Sequence, residues 1–242
     1  MRIINATWEK RLIGMESVEF ELSTVENLSE AKKQILSCSN KYQVVKVPVG
    51  DVKAQLMVQD CGFKFYETNY QLERKIKKPQ KMPEIFSRFQ KDVSFRDAAE
   101  DEIDFILKLV EGGTLFTTDK IAQDPYFSPL IAGRRYSLRA RDMIEKGART
   151  VLGLYKGNTA SFTIYEDRGG YYLAFIGGML NEYENRGMGF IPLYVTGEHV
   201  YRNGGGVIKT GVSSNNPSML KLQLLFGVRI TDIRNIYIKH IV

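Results

Sequence analysis

The chain has 242 residues, 43% of them hydrophobic and 26% charged, and carries a net charge of +6 at pH 7. That balance belongs to a globular protein of one large or two small domains and excludes a disordered or fibrous chain. No apolar run reaches the ~18 residues of a membrane span, residues 1–10 lack an apolar leader core, and Cys38 and Cys61 are too few for a disulfide framework or a zinc site, so a cytoplasmic, metal-free protein is expected.

In chain order, hydrophobic periodicity predicts a strand at 19–22, a helix at 25–37, a strand at 43–47, a helix at 52–59 and a strand at 65–74. Lys77-Lys78-Pro79-Gln80-Lys81-Met82-Pro83 then combines charge with two prolines, as an exposed linker does. It sets an expected boundary between a first domain, 1–84, and a second, 85–242. Beyond it 93–96 reads as a strand, and Asp97-x-x-Glu100 reads as a capping box for a helix with Ile103, Ile106, Leu107 and Val110 on one face. A second helix is expected within 130–146. Strands at 150–155, 159–165 and 171–180 follow, turned at Gly157-Asn158 and Arg168-Gly169-Gly170.

The most informative segment begins at that last strand. Glu184-Asn185-Arg186-Gly187-Met188-Gly189 is a polar, glycine-rich turn, and Phe190 leads into a helix with Ile191, Tyr194 and Val195 on one face, weakened later by Gly197. A strand at 207–212, a helix opened by Asn216-Pro217 and a stop at Gly227 complete the unit. Glycines between a strand end and a helix start let backbone N–H groups converge on an anion, and the helix dipole adds roughly half a positive charge there. Such a turn suits a diphosphate, although two glycines also make an ordinary turn; the elements that follow favour the diphosphate.

A shift of 165 residues lays Val47 on Val212, Asp51 on Asn216, Gly62 on Gly227, Phe63 on Val228, Lys64 on Arg229 and Arg74 on Lys239. Two readings are open: unrelated strand–helix–strand units sharing a glycine at the helix end, or a duplicated half-molecule. The first copy has no glycine turn before it and so no seat for a diphosphate.

This order resembles the acetyl-CoA-dependent N-acetyltransferases of the GNAT superfamily, whose pyrophosphate loop reads Gln or Arg, two residues, Gly, one residue, then Gly or Ala. Gly187 and Gly189 fill both small positions; Glu184 stands where Gln or Arg is usual, with Arg186 as a compensating cation. Asn216 followed eleven residues later by Gly227 matches the family's Asn-to-Gly helix. Trp8-Glu9, Gly14, Val44-Val45-Lys46-Val47-Pro48, Cys61-Gly62-Phe63 and Leu72-Glu73-Arg74 are similar to the N-terminal half of the TDP-fucosamine acetyltransferase-like group, in which a degenerate half precedes a complete acetyltransferase domain. The resemblance implies an α/β mixed-sheet acyl-CoA N-acyltransferase fold and direct attack of an amine on the acetyl-CoA thioester. It implies cofactor contacts at Met179 and Leu180, at Asn185, Arg186, Gly187, Met188, Gly189 and Phe190, and at Asn216 and Met219. The acceptor implied is an amino sugar, nucleotide-linked; another amine (amino acid or peptidoglycan precursor) and a non-catalytic CoA-binding or interaction module are the alternatives, and a homodimer is compatible with all three.

Seven residues after Asn216, where the family often carries a Tyr that protonates the leaving thiolate, this chain has Gln223. An amide hydrogen-bonds sulfur but supplies no proton at neutral pH. Tyr183 and Tyr237 are the hydroxyls available instead, each with packing as its competing role. Candidates for the base are His199, His240 and Glu182, which read equally as core or surface residues. Gly177 and Gly178 fit either close approach of a pantetheine arm or a β-bulge. Arg134, Arg135, Arg139 and Arg141 fall in two stripes of the predicted helix, and Arg135 and Arg139 are the candidates for a substrate diphosphate, a solvated basic face being the alternative. No zinc-finger or RNA-binding signature accompanies them, so no nucleic-acid partner is expected. No Ser-His-Asp, Cys-His or metal-ligand spacing occurs.

Overall fold

The apolar alternation of this chain resolves, in a computed structural model that describes residues 1–24 and 27–241, into ten strands and seven helices among the described residues. The first half runs β1 (Arg2–Asn5), α1 (Thr7–Ile13), β2 (Ser17–Glu21), α2 (Leu28–Leu36), β3 (Tyr42–Pro48), α3 (Val52–Asp60) and β4 (Lys64–Ile76). A 3₁₀ turn at Glu84–Phe89 interrupts the crossing to β5 (Val93–Asp97), α4 (Glu100–Glu111), α5 (Pro129–Glu145), β6 (Arg149–Tyr155), β7 (Asn158–Asp167) and β8 (Tyr172–Met179). After the glycine turn come α6 (Ile191–Arg202), β9 (Gly206–Ser213), α7 (Pro217–Leu225) and β10 (Arg229–His240).

Most predicted elements are present, with three departures. The helix expected from Val25 begins at Leu28, capped by Asn27, whose side chain accepts the Glu30 N–H at 3.2 Å; Val25 itself lies outside the described residues. Asp97 does not cap α4. It is held in β5 opposite Val151, and the helix starts three residues later, where Glu102 accepts the Ala99 N–H at 2.9 Å and pairs with Arg96. The hairpin between β6 and β7 turns at Lys156-Gly157, one residue early, because those two residues take the positive φ values (50° and 82°) that a tight hairpin needs.

All ten strands share one sheet in the order β1-β2-β3-β10-β4-β9-β8-β7-β6-β5. Its centre interleaves the two halves: β10 lies between β3 and β4, and β4 lies between β10 and β9, all antiparallel. The register obeys the 165-residue shift. Val47 faces Asn235 and Val212 faces Tyr70, which are the same pair in the two copies. Asn69 faces Arg234, a pair that the shift maps onto itself, so a local two-fold axis passes through it. The bulges agree too: the ladder skips Tyr66 on β4 and Thr231 on β10, again 165 apart. Asp51 caps α3 on the Ala54 N–H at 3.0 Å and Asn216 caps α7 on the Met219 N–H at 3.1 Å. Shared helix-ending glycines do not impose matching registers, bulges and caps; a duplicated β-α-β unit that has exchanged its second strand does.

Helices cover both faces. α2 and α3 pack on one side of the first half over Phe20, Val45 and Val47, and α6 and α7 pack over Ile76, Val151 and Ile208 in the second. On the opposite face α1 and the start of α5 cover Val44, Ile236 and Ile238, while α4 and the rest of α5 cover Leu152, Phe162 and Ile164.

Candidate active site

The site arises where two parallel strands stop pairing. In the first half β2 and β3 pair at five positions, from Ser17–Tyr42 to Glu21–Lys46. The corresponding β8 and β9 pair only at Tyr172–Ile208 and Leu173–Lys209, then part. The cause lies in β8, where Ile176 faces Ile164 and Ala174 faces Tyr165, so Phe175 is an extra residue in the ladder. The bulge is thus at Phe175, two residues before Gly177 and Gly178, which pair regularly with Thr163 and Phe162. Thr210 bridges the fork, its hydroxyl donating to the Ala174 carbonyl at 3.0 Å. Gly177 borders the opening; a Cβ there would sit 3.1 Å from the Phe162 carbonyl.

A cavity of about 240 Å³ occupies the gap and passes through the sheet. Leu193, Thr196, Met219 and Gln223 line it on the α6 and α7 side, and Phe116, Asp119 and Tyr136 on the α5 side. Beyond β8, Asn185 (φ 57°) and Gly187 (φ 72°) turn the chain sharply into α6. The backbone N–H groups of Arg186, Gly187, Met188, Gly189 and Phe190 donate to no protein acceptor among the described residues. Met188 and Phe190 are buried, Phe190 stacked on Phe86 at 4.2 Å, so their side chains anchor the turn. Glu184 and Arg186 are exposed, so both charges are solvated.

A second cavity, about 530 Å³, opens on the α5 face and shares Glu67, Asn69, Asp119 and Tyr136 with the first. Most of its charges pair with one another. Arg135 grips Glu9 through Nε at 2.9 Å and Nη2 at 2.5 Å, Lys46 bridges Glu19 and Glu21 at 2.6 and 3.2 Å, and Arg234 binds Asp232 at 2.6 Å. Burial works against the Glu9 carboxylate, but Arg135 overcomes it and holds the pKa below the usual range. Among the described residues, Glu67, Asp119, Lys120 and Arg139 line this cavity without an ion pair. Asp119 accepts the Tyr136 hydroxyl at 2.8 Å, and Arg139 lies over the Phe175 ring at 4.7 Å.

The structure therefore distributes the sequence candidates widely. Asn216, Met219 and Gln223 line the cavity through the sheet. Met179 ends β8 and Leu180 follows it, both with side chains packed toward the core, and Tyr183 packs edge-on against Tyr155, 6.4 Å between centroids, away from the cavity lining. Arg135 and Arg139 turn inward from α5, Arg135 already engaged by Glu9, whereas Arg134 and Arg141 face solvent. Tyr237 is buried and donates to Gln55. His199 is buried between the Tyr165 hydroxyl (2.6 Å to Nδ1) and Asp97 (3.2 Å from Nε2), and His240 pairs with Asp124 at 2.8 Å; neither borders the cavities.

Two charged residues of β4, neither expected from the sequence as a site residue, line the cavity through the sheet. Glu67, 6% exposed, stands where the two cavities meet and accepts the Ser213 hydroxyl at 2.5 Å; burial pushes its pKa up against the pull of Lys120. Arg74 reaches the same cavity from the α6 face. The available signal was a charge in the buried phase of a strand: Leu72, Arg74 and Ile76 alternate on one face, and all are buried.

No protein-family model matches the sequence, and no curated protein is similar to it. Solved structures are similar in fold. A GCN5-related N-acetyltransferase from Sphaerobacter thermophilus superposes with a TM-score of 0.58 at 12% identity over 82% of this chain, which spans 59% of that protein's length. A tandem GNAT protein from the clavulanic acid biosynthesis pathway gives 0.53 at 12% identity over 88% of this chain and 68% of its own. A glucosamine N-acetyltransferase region of a fungal multi-domain β-N-acetylglucosaminidase gives 0.57 at 12% identity over 81% of this chain and 25% of that one. The chain has the GNAT acyltransferase fold. No helix among the described residues is long and apolar enough to cross a membrane.

Proposed function

We propose that this protein is an acetyl-CoA-dependent N-acetyltransferase whose acceptor is a small polar amine carrying an anionic group, with a nucleotide-linked amino sugar as the acceptor class. The observation that carries the reading is the cavity through the sheet: unbonded loop amides lie beyond one end of the parted β8 strand, and a buried carboxylate stands at the other mouth. In this reading the N–H groups of Arg186 to Phe190 hold the diphosphate at the start of α6, where the helix dipole favours it. The pantetheine arm occupies the gap that β9 leaves along β8, beside Asn216 and Met219 on α7.

The acceptor enters through the charged cavity with its amine toward Glu67. A carboxylate with a raised pKa is a stronger base near neutral pH than an exposed one, and the Ser213 hydroxyl fixes its orientation. Arg139 and Lys120 are the cations available to the acceptor's anionic group. The fungal region of the same fold is described as acting on glucosamine, which supports an amino-sugar acceptor. A free amino acid is the second reading, because the cavity's self-pairing leaves two cations and two carboxylates, the complement of a zwitterion.

Calorimetry with acetyl-CoA, followed by thiol release over nucleotide-linked amino sugars, free amino sugars and amino acids, tests both. Gly187→Ala places a side chain at φ 72°, with no protein atom within 4 Å of the added Cβ, so the domain should stay folded at a cost of about 1–2 kcal/mol. Acetyl-CoA affinity should fall by about tenfold or more. Unchanged affinity would remove the loop from the cofactor site, and thiol release without any amine dependence would remove the transferase reading.

A further inference from the structure

Arg74 is a buried cation with nothing to neutralise it. It is 6% exposed, and its Nη2 donates to the Leu193 carbonyl of α6 at 2.9 Å, while Nη1 is buried without an acceptor. The groups around it are the Leu193 carbonyl and Gly197 from α6, the Phe226 ring after α7 (5.4 Å from the guanidinium carbon), and Gln80 of the crossing segment near Gly197. None of these is titratable. Burial alone lowers the pKa to about 10, with no charged group contributing, so the side chain is a cation at neutral pH. Its strand neighbours on that face, Leu72 and Ile76, are core residues, and an apolar side chain would pack there without the desolvation cost of a lone charge.

α6 makes room for this charge. A Cβ at position 197 would lie 3.0 Å from Arg74 Nη2, so a glycine that weakens the helix is what admits the guanidinium. An unpaired cation kept at such expense in a ligand cavity is repaid by an anion that is not part of the protein. Gln223 lines the same cavity, at the position where a proton donor to sulfur is missing.

We propose that Arg74, delivered by β4 of the first half, receives the negative charge of the departing CoA sulfur. The proposal rests on the acetyl-transfer reading above. The amine nitrogen bonds to the thioester carbonyl carbon, and its proton passes to the Glu67 carboxylate. The C–S bond then breaks with its electron pair on sulfur. Arg74 stabilises that thiolate without protonating it, and Gln223 donates an amide hydrogen bond. CoA leaves as the thiolate and takes a proton from water in solution, while Glu67 returns its own proton to solvent, so the net product is the thiol.

The product complex tests this without an acceptor. The thiol of CoA bound to the wild-type protein, followed by thiolate ultraviolet absorbance against pH, should titrate about one unit or more below free CoA. Arg74→Gln should abolish that depression, and Arg74→Lys should keep part of it. Turnover with acetyl-CoA should fall about 10²-fold in Arg74→Gln, the scale of losing one charge-stabilising donor, while CoA affinity changes by less than about threefold. In that background Gln223→Tyr should restore turnover, because it supplies the missing acid. Identical titrations in wild type and Arg74→Gln would overturn the proposal while leaving the acetyltransferase reading intact. A loss of CoA affinity as large as the loss of turnover would reassign Arg74 to holding the cofactor. If wild-type protein does not bind CoA, both fall together.

Discussion

In the proposed reaction the buried Glu67 ties stability to activity. Burial raises its folded-state pKa, whereas in the unfolded chain it titrates near about 4.3. Below that value both states are protonated and the residue costs nothing. As pH rises from there through the folded value the unfolded chain ionises while burial holds the native carboxyl protonated, so stability is lost, and the loss is complete once the native carboxylate ionises. Glu67→Gln should therefore melt higher than wild type near about pH 7 and lose that advantage near about pH 4, while turnover falls about 10²–10⁴-fold. Lower melting at both pH values would mean the carboxylate is a structural partner of Ser213 and no base. Neither Glu67 nor Arg74 was legible as a site residue in the sequence. Their chemistry depends on Ser213 and Leu193, more than a hundred positions away, and local patterns do not report such pairings. What was visible was a charge in the apolar phase of β4, a conflict between pattern and burial that marks a functional position.

At the scale of elements, the periodic segments were legible because their faces are buried one side at a time. The glycine turn was legible because Gly187 must adopt a positive φ. β1 and α1 escaped notice, being four and seven residues long and too short for a period to declare itself. α1 nevertheless forms part of the wall of the charged cavity. Its Glu9 is 4% exposed and takes both nitrogens of Arg135, fastening α1 to α5 at the cavity wall. Arg135 was legible as a cation of the predicted helix and a candidate for a substrate diphosphate, but its Glu9 partner was not, since that pairing spans 126 residues. Arg135→Met should cost about 3–5 kcal/mol in denaturant unfolding, because it strands a buried carboxylate. Glu9→Leu combined with Arg135→Met should recover most of that loss, and acetyl-CoA affinity should be unaffected by either. A cost below about 1 kcal/mol for the single change would show the pair is solvated, like a surface bridge.

At the scale of the molecule, the linker at 77–83 leads from β4, near the middle of the sheet, to β5 at its far edge, while β4 itself remains between β9 and β10. Strand order of this kind is set by pairings between residues 130 to 174 positions apart, so the 165-residue repeat hinted at the duplication without revealing the exchange. Residues 85–242 alone would present β9 and β10 with an empty strand position between them. That fragment should be insoluble or partly unfolded, and co-expression with residues 1–84 should rescue solubility and CoA binding together, as read by circular dichroism and calorimetry. A well-folded, CoA-binding fragment would show that β4 is dispensable. The two-fold axis at Asn69 and Arg234 also bears on dilution. Were the two halves separate chains, each complete site would need the other chain's strand, and its occupancy would follow their concentration. Joined in one polypeptide, β4 meets β9 at an effective concentration fixed by the intervening chain, of millimolar order for short flexible tethers. The loss of pairing between β8 and β9, paired with intact pairing of β2 to β3, then leaves one working slot served by a permanently tethered donor strand, whose completeness is independent of how much protein the cell makes.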